Sequence, residues 1–295
     1  FMLFSYLMMV GLGLILFIQW RKNERLPFPL LTLQDSLIQD ARDKACYAPL
    51  FHRRSFWLAA GIVFVLHFMA GVKEYNPGSM PAIPLEFEIR RLFTGTPWVF
   101  LPGYISQNRI YFTFIALAFF MPNRVSFSIW FWQLAYALYI MYAKAYMPPF
   151  HPGAVSHHRS GAMVALAVGV LWLGRGYWLH VARVMVTRAR TAADRRDRNA
   201  GWMFAAGCAG MAVWLVWTGV PVLWAAGLVL MAFMLTLVTT RMVAETGLIQ
   251  VWLYQSQLLD FAMLFPAVWY TPTALFYLGV VGVIFGNGGR VCCSA

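Results

Sequence analysis

Residues 221–240 read PVLWAAGLVLMAFMLTLVTT, twenty positions without a single charge. Nothing else in the chain restricts its fold as much. About 20 apolar residues in a helix cross a hydrocarbon layer of about 30 Å, and the helix satisfies its own backbone on the way. Comparable runs stand at 2–20, 55–72, 109–121, 125–146, 161–181, 201–219 and 273–286, with an interrupted apolar region at 246–271. The ten-residue alternation of a membrane β-barrel is not seen. The sequence therefore predicts an all-α, polytopic membrane bundle with about eight membrane segments.

Composition agrees. The chain is 61% hydrophobic and 12% charged, against about 25% charged in soluble domains. Its net charge is +12 and 17% of its residues are aromatic. In a membrane protein, cations gather in cytoplasmic loops and aromatic rings at the interfaces, so the charge does not call for nucleic acid. The expected partners are the lipid bilayer and, beyond it, further copies of the chain or other membrane subunits. The four cysteines, Cys46, Cys208, Cys292 and Cys293, form no CxxC pair and no Cys/His set with metal-ligand spacing. Neither a disulfide framework nor a bound metal or cofactor is expected. No basic n-region precedes Phe1, so no cleavable signal peptide is read, and the chain reads as a piece of a longer one.

Lysine and arginine counts orient the spans. If the first span runs from outside to inside, the inner loops 21–54, 122–124 and 182–200 carry fourteen basic residues and the outer loops 73–109 and 144–159 carry six. The start of the chain is thus placed outside and Arg241 at the cytoplasmic side. In this reading 1–295 is one transmembrane domain, 73–108 is an extracytoplasmic loop, and 182–200 is a basic cytoplasmic linker.

Three segments carry a resemblance: QWRKNERLPFPLLTLQ (19–34), FHRRSFWLAAGIVFVLHFMAGVKEYNPGSMPAIPLEFEIRRLFTGTPW (51–98), and TLVTTRMVAETGL (236–248) ahead of FGNGGR (285–290). In this order they resemble a family of large bacterial multi-pass membrane proteins of unknown function. The ERLPFPL-like element is similar to one in oligopeptide transporters. The resemblance implies a bacterial cytoplasmic (inner) membrane location and a permease-like architecture.

Chemistry is expected where charge meets apolar sequence. Arg241 and Glu245 stand four residues apart, on one face of a helix, where they can pair. An ionisable group inside the bilayer is costly unless paired or wet. Either the span ends here, with the pair at the interface and Gly247 stopping the helix, or the two form a structural buried pair, or Glu245 is a proton or cation site. Asp260, with Gln255 and Gln257 before Pro266, marks either a broken helix of the kind that builds transporter sites or a surface segment. His67 lies deep in the second span, as a packed neutral histidine or one with a proton-linked or metal role. His151, His157 and His158 fall in an outer loop with no acid beside them. The aromatic-rich stretch IWFWQLAYALYIMY (129–142) faces either lipid or another subunit.

No GxSxG, HExxH or Walker element occurs, nor a GxGxxG in a βαβ setting, so enzyme activity is not expected. The leading expectation is a secondary-transporter-like permease with Glu245, Arg241, Asp260 and His67 near the path. The alternative is a non-catalytic integral subunit of a larger, energy-transducing membrane complex.

Overall fold

The computed structural model describes residues 1–38, 53–76, 78, 84–92, 94–147, 154–187, 191–247 and 271–286. It is all-α apart from one two-stranded ribbon. The chain divides into two compact units, Phe1–Pro27 with Pro152–Ala295, and Phe28–His151.

The first unit is built on α1 (Met2–Ile18, continued by a π-helical turn, Gln19–Glu24), α7 (Ala154–Leu173), α8 (Arg175–Val186), α9 (Ala192–Trp217), α10 (Val222–Thr246) and α11 (Pro272–Gly286). Glycine lets α1 and α9 approach almost backbone to backbone. A Cβ on Gly207 would stand 2.5 Å from the Met8 nitrogen, and one on Gly11 would stand 2.5 Å from the Phe204 nitrogen. Small residues at such crossings are how membrane helices maximise van der Waals contact, since lipid offers no hydrophobic drive between them. Pairing of Gly11 with Phe204, Met8 with Gly207 and Phe4 with Gly210 shows that α1 and α9 run antiparallel.

A short turn at Thr218–Pro221 then reverses the chain into α10, with Phe204 packed on Phe233 at 5.5 Å between ring centres. Helices α1 and α10 therefore run the same way, and their C-terminal ends share one end of the unit. Helix α10 is the buried centre, with Trp224, Leu228, Met231, Leu235, Leu237 and Val238 almost fully enclosed. It stops at Gly247, whose left-handed φ of 67° suits a residue without Cβ. The expected helix end is thus observed.

The second unit holds α2 (Pro29–Ile38), α3 (Arg54–Tyr75), α4 (Gly103–Ser106), α5 (Phe112–Phe120) and α6 (Asn123–Tyr146). Strands β1 (Glu86–Glu88) and β2 (Gln107–Arg109) pair antiparallel, with Glu86 opposite Arg109. The segment 73–108 is therefore not a plain loop. Helix α3 runs on to Tyr75, and the ribbon follows.

Four helical segments are long and apolar enough to cross a membrane: Met2–Glu24, Arg54–Tyr75, Ala192–Trp217 and Val222–Thr246. A fifth counts if α7 and α8, bent by 67° at Gly174, form one broken span. About eight segments are thus not found among the described residues. Helix α5 has only nine residues and α11 fifteen. Helix α6 has the length, at 24 residues, but Arg124, Ser126, Ser128, Gln133 and Lys144 dilute it. The basic linker 182–200 also changes character. Helix α8 extends to Val186 and α9 starts at Ala192, because Thr191 and Asp194 form a reciprocal capping box. Most of the predicted linker is thus helix.

A candidate ion cluster at the joint end of α1 and α10

Arg241 is 8% exposed, one turn before the end of α10. Its Nε donates to Glu245 Oε1 at 2.5 Å, the four-residue pair expected from the sequence. Its Nη1 donates to Glu24 Oε2, a partner 217 positions away. A guanidinium carries donors in a fixed planar fork and can serve two carboxylates at once, which an ammonium does with less order. The guanidinium carbon also lies 5.3 Å from the centre of the Trp20 ring, within cation–π range.

The π-helical turn sets the other side. In a π-turn, residues five apart stack. Gln19 and Glu24 are so related, and Gln19 Nε2 donates to Glu24 Oε1 at 3.3 Å. Asn23 Nδ2 in turn donates to Gln19 Oε1 at 2.5 Å. The turn ends at Arg25, whose φ of 51° is left-handed, and the chain leaves toward the PFP element. Glu24 is thereby held with both carboxylate oxygens engaged. Its side chain is 11% exposed and that of Arg241 10%, but that of Glu245 is 38% exposed. One cation and two acids leave the cluster one negative charge in excess, and Glu245 is its most exposed member.

The threonines before Arg241 take no part. Thr236 Oγ1 donates to Ala232 O at 2.8 Å and Thr240 Oγ1 to Thr236 O at 2.6 Å, while Thr239 bonds back to Leu235 O. Their hydroxyls are spent on their own helix.

A second charged group stands where α8 meets α9. Asp197, 6% exposed, lies 3.9 Å from His180 Nε2 and 3.7 Å from Arg196 Nε. His180 is also 3.8 Å from Asp194.

Of the residues expected to carry function, Arg241 and Glu245 are brought together. His67 is exposed, edge-on to Phe112 at 5.7 Å, and lines an open cavity in the second unit. Asp260 lies outside the described residues, as does His151. His157 and His158 begin α7 rather than occupying a loop. No group of three or more metal-ligating side chains occurs among the described residues. Sequence reasoning missed Glu24, Gln19 and Trp20. The signal was present: Glu24 is the first acid in the chain, at the end of a span that the loop charges orient like the one ending at Arg241.

Apolar helices of membrane length around a buried ion cluster define the class: a polytopic helical membrane protein. The chain belongs to a family of unknown function, DUF6785, whose sequence profile matches residues 1–290. No curated protein and no solved structure matches it.

Proposed function

We propose that the chain is a secondary-transporter-like permease of the bacterial inner membrane, with Glu24, Arg241 and Glu245 as its coupling site. The observation that carries this reading is the shared arginine. One buried guanidinium is divided between an enclosed acid on α1 and a half-exposed acid on α10. The excess negative charge favours a small cation at Glu245, which frees Arg241 to bind Glu24 alone. Loading the site thus changes which helix holds the arginine, and α1 and α10 can respond by moving. Two further features support it. Ionisable groups within membrane segments are functional candidates by default, and π-helical turns recur at functional sites.

The experiment is uptake into proteoliposomes. Vesicles containing the chain are exposed to a small-molecule extract of bacterial cells, and their contents are read by mass spectrometry against empty vesicles. Specific, gradient-dependent enrichment of a solute is expected, abolished in Glu245→Gln. Contents indistinguishable from those of empty vesicles would sink the proposal.

The second reading, a non-catalytic subunit of a larger complex, has an observation of its own. Helix α3 has no buried residue, and Trp57, Phe64, Trp130 and Trp132 are each more than 60% exposed. Such faces suit lipid or another subunit alike.

A further inference from the structure

His67, Ala70, Lys73 and Glu74 recur along α3 at helical spacing and line one cavity. Its opposite wall comes from the ribbon: Glu86 at the start of β1, with Arg109 and Tyr111 at and beyond the end of β2. The cavity measures about 770 Å³, within the range of about 300–1,000 Å³ usual for small-molecule sites.

Its four charges are not equivalent. Glu86 and Arg109 face each other in the strand register and form an ion pair. That wall is neutral and self-satisfied. Lys73 and Glu74 form no ion pair with any described residue. They are neighbours in sequence, and neighbours on a helix point about 100° apart, too divergent to face each other. One cavity therefore offers a cation and an anion that the helix keeps from neutralising one another. Ala70, Leu85 and Ile110 supply apolar wall between the polar groups.

The geometry points to a binding site for a small amphoteric molecule, its carboxylate taken by Lys73 and its ammonium by Glu74, with its hydrocarbon part against the apolar wall. A ligand carrying only one charge leaves the other lining charge unmet and forfeits half the recognition. The site does not rest on the coupling role of Arg241, since binding is read at equilibrium without transport.

The test uses the full chain in nanodiscs and isothermal titration calorimetry. The probes are γ-aminobutyrate, which carries both charges, and its single-charge counterparts butyrate and butylamine. ε-Aminocaproate serves as a zwitterion of longer reach. At least one zwitterion is expected to bind saturably and about tenfold more tightly than either single-charge probe, a difference of about 1.4 kcal/mol. Lys73→Gln should reduce it to the level of butylamine, and Glu74→Gln to that of butyrate. Both residues are exposed, so both variants should keep the wild-type unfolding temperature, which is measured alongside. Equal binding of all probes, no saturable binding of either zwitterion, or binding unchanged in both variants overturns the proposal.

Discussion

Arg241 is worth most through what its loss leaves behind. Its replacement strands Glu24, which is nearly enclosed, with Gln19 as its one remaining side-chain donor among the described residues. Breaking a buried pair from one side costs about 3–5 kcal/mol, because the remaining charge keeps its desolvation penalty. Arg241→Gln should therefore lower the unfolding temperature in detergent sharply. Glu245→Gln should cost only about 0–1 kcal/mol, as exposed pairs do. The coupling between Glu24 and Arg241 follows from a double-mutant cycle with Glu24→Gln, and additivity within about 0.5 kcal/mol would rule out the contact. The same cluster shows how far sequence reaches at this scale. The Arg241–Glu245 pair is legible because a helix repeats every 3.6 residues. The Glu24 contact is tertiary, and no local period encodes it.

Among the elements, the α1–α9 crossing is the most specific. A Cβ at Gly207 meets the Met8 backbone, which cannot step aside, whereas one at Gly210 meets the Phe4 ring and one at Gly201 the Met185 side chain, which can. Gly13 faces open space. Gly207→Ala should destabilise by about 1–3 kcal/mol, the usual cost of overpacking. Gly13→Ala should be neutral or stabilising, since alanine is the better helix former by about 1 kcal/mol. Thermal unfolding of the two variants side by side separates them, and equal shifts would contradict the crossing. Elements were legible where apolar length was the signal, as in α1, α3, α9 and α10. They were misread where a cap or a break decided. Thr191 and Asp194 turn a basic linker into the first turn of α9. Gly174 bends a single apolar run into α7 and α8.

At the scale of the molecule, the sequence carried the class of protein, which follows from hydropathy. Fewer than the expected eight spans are found among the described residues, where hydropathy reads any apolar run as a crossing but α5 and α11 fall short of the length for one. Helix α3 is apolar and unburied from Phe56 to Leu66, and α6 bears Phe127, Trp130 and Trp132 outward. A helix apolar all round belongs either in lipid or inside a larger body. What covers these faces decides between a permease that works by itself and a component of a complex. The most direct measurement is purification of the native protein from its membranes in mild detergent, with the mass of the particle and the identity of every chain in it determined. A permease predicts a particle containing this one chain type, in one or a few copies. Stoichiometric co-migration of other subunits or of pigments would contradict that account and make the exposed faces of α3 and α6 contact surfaces.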